Sequence, residues 1–172
     1  ERANAMLSRL SSFLRYTLIN EATAQVTLAQ EIETLKLYLE IEKMRFEDRL
    51  RTTFSIDPSV ERARLPSLLL QPLVENAIKY AVTPKEEGAD IMVEAKRIGD
   101  HVLISVSDTG PAAHEGTARP THSTGVGLAN IRDRLAQAYG TEHRLDIQSD
   151  PQGGFSVTIE IPYQTDRTKE AA

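Results

Sequence analysis

Three short segments carry side chains of the types and spacing that could bind a nucleotide. The first is ENAIKYA, Glu75 to Ala81. On a helix, Glu75, Asn76 and Lys79 fall away from an apolar stripe that contains Ala77 and Ala81. One face can therefore enter a core while the other walls a polar cleft. An Asn side-chain oxygen suits Mg²⁺ beside phosphates, because that ion takes hard oxygen ligands and keeps several waters. The second segment is SDTG, Ser107 to Gly110, at the end of an apolar strand. An ionised Asp only accepts hydrogen bonds, so Asp108 could take one from adenine's amine and would repel guanine's carbonyl. Gly110 would let the backbone approach a flat base. The third is STGVGL, Ser123 to Leu128, opening a helix after a long irregular loop. Glycines at a helix N-terminus let backbone N–H groups close on phosphate oxygens. Each segment alone also has a plain structural reading: a solvated helix face, a strand-ending turn, and a glycine-tolerant cap. The third is neither a Rossmann fingerprint nor a P-loop, since no parallel βαβ unit and no GxxxxGK are present.

These segments need elements to hold them. Leu7, Leu10, Leu14 and Leu18 predict a first amphipathic helix. Thr27 and Gln30 form a capping box that opens a second, on which Leu28, Ile32, Leu35, Leu39 and Phe46 make a heptad-like seam interrupted by Glu42. A linker of about eight residues suits an antiparallel hairpin. Two helices cannot bury two seams, so pairing with a second copy in a four-helix bundle is the expectation. On that expectation Leu35→Glu dissociates the dimer and spares the rest. The alternative is that the hairpin packs on its own downstream domain.

Beyond Arg51 the period changes. A strand is expected over Thr53–Ile56, then a helix from Pro66 to Ala81 with Leu70, Leu73, Val74, Ala77 and Ala81 on one face. Pro72 sits awkwardly inside it and argues for a regular start near Gln71. Ile91, Val93 and Ala95, then Val102, Ile104 and Val106, alternate as two strands. Residues 109–124 are aperiodic. A helix over 125–139 turns Leu128, Ile131, Leu135 and Ala138 inward and stops at Gly140; strands follow at 145–148 and 155–161. The pattern is α+β: a mostly antiparallel sheet covered on one face by helices, behind a helical hairpin. The expected division is hairpin 1–52, α/β sandwich 53–163 and polar tail 164–172.

Composition removes other classes. With 20 Lys+Arg against 25 Asp+Glu the 172-residue chain carries a net charge of −5, and no stretch is basic enough for a nucleic-acid footprint. The lack of cysteine excludes disulfides, thiolate nucleophiles and cysteine-ligated zinc, and fits a cytoplasmic setting. No apolar run approaches the ~20 residues that span a bilayer. The chain opens at Glu1 inside a helical pattern, so a fragment is expected, with any membrane anchor upstream of it.

The order ENAIKYA, SDTG, STGVGLANIRDRL resembles the N, G1 and G2 boxes of the GHKL ATP-binding fold. LRYTL (Leu14–Leu18), LAQEIETLKLYLEIEKMRF (Leu28–Phe46) and LPSLLLQPLVENAIKYA (Leu65–Ala81) resemble the LytS-type sensor histidine kinases. The resemblance spans roughly residues 5–162. It implies a protein histidine kinase that binds ATP and Mg²⁺. Asn76 would be the metal ligand, with Glu75, Lys79 and Tyr80 at the nucleotide. Asp108 would read adenine and Gly110 lie against it, while Thr124, Gly125, Val126, Gly127 and Leu128 form the lid hinge and phosphate cradle. Asn130 and Arg132 belong to the matched NIRDRL stretch. Implied partners are a second copy through the hairpin and a response-regulator receiver domain, with no nucleic acid.

Three departures stand out. The second glycine usual in the G1 box is absent, since Gly110 is followed by Pro111-Ala112-Ala113. Phe155 replaces the Thr common after the Gly-Gly of the penultimate turn. The acceptor histidine of an HFLFNTLN-like helix is not in this chain: the four histidines are His101, His114, His122 and His143, read as strand-edge and lid residues. Two other functions compete. A hydrolytic GHKL ATPase would place a general-base Glu one turn before the Asn, where Pro72 stands here. A pseudokinase would serve only as a dimeric interaction module, against which the retained Asn76, Asp108, Gly125 and Gly127 weigh.

Overall fold

The computed structural model describes residues 2–19, 25–111 and 126–165, and side chains among them outside 12–19 and 126–127. Helices α1 (Arg2–Ile19) and α2 (Leu28–Phe46) flank a short strand β1 (Gln25–Thr27). The capping box is formed: Gln30 N donates to Thr27 Oγ1 at 3.2 Å and Thr27 N to Gln30 Oε1 at 3.0 Å. An exposed ion pair, Arg9–Glu40 at 3.0 Å, ties α1 to α2. Such a pair adds little stability.

The seam of α2 is covered from within the chain. Leu28, Ile32, Leu35, Leu39 and Phe46 are each at most 5 % exposed and share one core with Leu65, Leu69 and the sheet. The Leu28 and Ala29 amides donate to the Ala63 and Glu61 carbonyls at 2.8 and 3.0 Å, and the Lys36 ammonium lies over the Phe54 ring. The expectation that charging Leu35 would only part a dimer is therefore corrected. The seam packs on the α+β sandwich of its own chain, because that sandwich offers it an apolar surface directly. The helix touches α1 through a different face, at Glu40.

Strands β2 (Leu50–Ile56), β4 (Ala89–Ile98), β5 (His101–Asp108), β6 (Arg144–Ser149) and β7 (Phe155–Pro162) form a sheet in the order β2-β4-β5-β7-β6. Only β2–β4 is parallel. Strand β2 starts three residues before the expected Thr53, since buried Leu50 pairs with Ala89 while Thr52 obscures the alternation. A separate pair joins β1 to β3 (Arg64–Pro66), with Val26 opposite Leu65. Along β4 and β5 alternate residues are buried, so helices cover one face and water the other. Among the described residues no helix is long and apolar enough to cross a membrane.

The expected helix over 66–81 divides into four parts. Pro66 pairs with Gln25 in β3, residues 67–70 turn, and α3 runs Gln71–Ala77. Pro72 lies in the first turn of α3, where its missing N–H breaks no helical bond. Residues Ile78–Val82 then widen into a π-turn, closed by Thr83 N donating to the Ile78 carbonyl at 3.0 Å. Leu70, Leu73, Val74, Ala77 and Ala81 are buried as expected. Helix α4 (Val126–Tyr139) buries Leu128, Ile131 and Leu135, but Ala138 is exposed and Tyr139 takes the inward place. The Tyr139 hydroxyl donates to the Arg64 carbonyl at 3.3 Å, and burial pushes its phenol up to about 12.

Candidate functional site

Asp108 ends β5 and is 7 % exposed. Its Oδ1 accepts the Gly110 N–H at 2.9 Å, an Asx-type turn that fixes the carboxylate at the strand's end. A Cβ at Gly110 would lie 2.9 Å from Asp108 Oδ1 and 3.1 Å from the Ala81 Cβ. A side chain at Gly110 would crowd Asp108 and Ala81, so glycine fits the space best here. The Gly110 carbonyl accepts the Gly154 N–H at 3.1 Å, and Gly154 has φ +104°. Phe155 pairs with Asp108 in the β5–β7 register and is buried. Thr109 locks the same end of the sheet: its N donates to the Asp90 carbonyl at 3.1 Å, and its Oγ1 accepts the Asp90 N–H at 2.9 Å. The result is a rigid floor with one buried carboxylate.

The wall beside this floor is α3 and its π-turn, which contains Ala81. Glu75 and Lys79 are exposed, while Asn76 and Tyr80 are half-buried. Gln71 Nε2 donates to Glu75 Oε1 at 3.0 Å, and the Lys79 ammonium lies over the Tyr80 ring. A π-turn interrupts regular helix pairing and often marks a functional position. Its far end is held by Arg49, whose Nη2 donates to the carbonyls of Val82, Thr83 and Lys85 at 3.0, 3.2 and 2.7 Å. Gly88, with φ +75°, lets that stretch pass Arg49, since a Cβ there would sit 1.9 Å from the Arg49 carbonyl oxygen.

The structure thus brings Asp108, Gly110 and Ala81 into contact, with Asn76 and Tyr80 on the element leading to them. Leu128 is buried in the core, so its side chain packs the domain, while Asn130 and Arg132 lie exposed on α4. Val126 and Gly127 form the first turn of α4. Thr124 and Gly125 lie outside the described residues, as do His114 and His122. His101 and His143 are half-buried at the start of β5 and just before β6, as expected of strand-edge residues.

Sequence reasoning missed three charged residues. Arg49 gives no local signal. Glu31, 1 % exposed, stands three residues after Leu28 and four before Leu35, so it lies on the buried face of α2. A carboxylate among seam positions was a legible warning. Burial pushes its carboxyl above the usual range, against the backbone amides of Leu70 and Leu68 and the Arg134 guanidinium, which favour the anion. Arg134 follows Ile131 by three on α4 in the same way.

Comparison with known proteins places this geometry. Residues 61–165 match the family described as histidine kinase-, DNA gyrase B- and HSP90-like ATPases, and residues 1–50 match a histidine kinase family. The sensor histidine kinase YesM of Bacillus subtilis is 38 % identical over 137 residues, covering 80 % of this chain and 24 % of YesM. The sensor protein LytS of Staphylococcus epidermidis is 33 % identical, covering 97 % of this chain and 29 % of LytS. The chain therefore spans about a quarter of the length of these relatives. Among solved structures, the catalytic domain of histidine kinase ThkA superposes with a TM-score of 0.60 at 21 % identity, covering 81 % of this chain and 95 % of that one. The chain belongs to the histidine kinase-, DNA gyrase B- and HSP90-like ATPase family, and sensor histidine kinases such as YesM and the sensor protein LytS are among the proteins it resembles.

Proposed function

We propose that this chain is the ATP-binding catalytic portion of a two-component sensor histidine kinase. It would pass the γ-phosphoryl group of ATP to a histidine outside this chain, from which a response-regulator receiver domain takes it. The observation that carries the reading is the buried Asp108, pinned by Gly110 against Ala81 at the foot of the helix that bears Asn76. A fixed acceptor in a nearly dry floor suits adenine's amine, because a desolvated charge-assisted hydrogen bond discriminates strongly. Glu75, Lys79 and Tyr80 would meet the nucleotide along the wall. Gly127, in the first turn of α4, and Gly125, two residues before it in sequence, would offer N–H groups to its phosphates, with Thr124, Val126, Asn130 and Arg132 contributing.

The donor chemistry fits Mg²⁺. The Asn76 amide oxygen is a hard ligand on the polar side of α3, and among the described residues no group of three or more His, Cys, Asp and Glu could cage a metal. The remaining ligands would be phosphate oxygens and water, and the bound ion would neutralise phosphate charge. Pro72 supports transfer over hydrolysis: it stands where a base would have to activate water, and it has none. Helix α1 exposes Met6, Leu7 and Leu10 at 41, 60 and 37 %, which supports pairing of the hairpin with a second copy.

Incubation with γ-labelled ATP tests the reading. Acid-labile label is expected on the longer parent chain and not on this one, because transfer to histidine needs an acceptor imidazole in line with the γ-phosphate and residues 1–55 contain no histidine. Brisk phosphate release from this chain alone would favour the hydrolytic relatives and overturn it.

A further inference from the structure

The turn between β3 and α3 is held from two sides by other helices. Leu68 sits there at φ 58°, a left-handed conformation that a residue with a Cβ rarely adopts. Ser67 is fully buried and its hydroxyl has no partner among the described residues, so it contributes nothing to holding the turn. The hold comes from outside. Glu31, on α2, accepts the Leu68 N–H through Oε2 at 3.0 Å and the Leu70 N–H through Oε1 at 3.1 Å. Arg134, on α4, donates through Nη1 to the Leu68 carbonyl at 3.1 Å and through Nη2 to the Ser67 carbonyl. The Leu70 carbonyl in turn accepts the first bonds of α3, from Leu73 N at 3.0 Å and Val74 N at 3.2 Å. Leu70 therefore gives its amide to α2 and starts α3 on its carbonyl.

We propose that Glu31 and Arg134 are positioning residues which set the α3–α4 frame of the nucleotide site from the hairpin helix α2, so that the seating of α2 and nucleotide binding are coupled. The inference rests on the nucleotide-binding reading above. Its physical basis is the cost of partial disengagement. If α2 shifts, a buried carboxylate and two amides lose their partners together, and unmet buried groups are far more costly than exposed ones. The junction is thus engaged or broken as a unit. Helix α3 leads from it to Asn76 and Ala81, and α4 leads back from it to Val126 and Gly127, so both walls move with the junction. By linkage, nucleotide that favours the engaged state must also favour the seated α2.

The test measures Mg²⁺ with a non-hydrolysable ATP analogue on this chain, its Glu31→Gln and Arg134→Gln variants, and the double variant. Calorimetry reads affinity and hydrogen exchange reads the amides of residues 28–46. Arg134→Lys is the milder second variant, since a single ammonium cannot span two carbonyls as a guanidinium does. The expected result is that nucleotide slows exchange in α2 of the wild type. Each single variant should bind about fivefold or more weakly and lose that response, with the double variant no weaker than the worse single. A merely structural role would lower the melting temperature and leave the response of α2 intact. Wild-type affinity in the folded variants, or an α2 indifferent to bound nucleotide, would overturn the proposal. A wild type that binds no nucleotide would instead remove the functional reading on which the proposal stands.

Discussion

The two hairpin helices carry similar apolar spacing and meet opposite fates. On α2, Leu28, Ile32, Leu35, Leu39 and Phe46 are sealed in the core of the catalytic domain, whereas on α1 Met6, Leu7 and Leu10 face water. Periodicity states that a face must be covered. It does not state by what. The deciding factor is reach: α2 continues into β2 after a short 3₁₀ turn and is drawn onto the sheet's helical layer, while among the described residues α1 is tied to the other side of α2 at Glu40.

The largest effect that separates the two helices is expected at Leu35, which is 1 % exposed. Leu35→Glu would place a carboxylate in a packed core with no partner, at a cost of about 4 kcal/mol or more. Urea denaturation should show the whole domain unfolding or its midpoint collapsing, with nucleotide binding lost. A variant that keeps its midpoint and merely changes oligomeric state would return α2 to the dimer interface.

The matching change on α1 should do the reverse. Leu7→Glu with Leu10→Glu is expected to leave the stability of the domain within about 0.5 kcal/mol of wild type when both are compared at concentrations where they are monomeric, as exposed substitutions do. Light scattering should show dimer giving way to monomer, because each buried Leu supports association by about 1.5–3 kcal/mol and a two-fold interface counts it twice. A wild-type chain that is monomeric at high micromolar concentration would break the dimer reading.

How much of this was legible follows from the kind of signal. The alternation of Val102, Ile104 and Val106 and the capping box of Thr27 and Gln30 are local, and both formed as read. The start of α3 at Gln71 was legible from Pro72, but the loss of Pro66 to β3 was not, because pairing of β3 with β1 depends on a contact about 40 residues away in sequence, Val26 with Leu65. The π-turn at Ile78–Val82 has no residue signature of its own, and it is fixed by Arg49, again from a distance. The turn of Asp108 and Gly110 at the end of β5 was readable, because Asp and Gly are turn residues and the alternation before them marks the strand. At the junction, Glu31 on the buried face of α2 is a local signal, but that it meets Arg134 at one turn depends on the packing of three helices and is not written in any one of them.

Inside the site a smaller effect is expected. Asp108→Asn keeps shape and the Gly110 contact through its amide oxygen but removes the charge that would draw adenine's amine. Affinity for ATP should fall ten- to over a hundredfold, about 1.5–3 kcal/mol, with little change in the unfolding midpoint. Calorimetric titration with ATP, ADP and GTP measures it. Equal ATP and GTP affinity in the wild type would remove Asp108 from base recognition.

The smallest effect is a dependence of stability on pH that comes from the buried face of α2. Two influences oppose each other at Glu31: burial favours the neutral acid, while the amides of Leu70 and Leu68 and the Arg134 guanidinium favour the carboxylate. Burial prevails, so the folded protein holds the proton more tightly than the unfolded chain does. Where the native state binds more protons, stability falls as pH rises. The wild type should therefore lose stability relative to Glu31→Gln as pH climbs from the ordinary carboxylate value of 4.5 toward neutrality, with a slope no steeper than about 1.4 kcal/mol per pH unit. Glutamine does not titrate, so the difference between the two urea midpoints isolates this one group from every other carboxylate in the chain. The absolute offset should still favour Glu31, since one amide oxygen cannot replace two carboxylate oxygens that each accept a backbone N–H. A difference that grows with pH would mean that the amides and Arg134 prevail over burial, and that the junction between α2, α3 and α4 is held by an anion throughout.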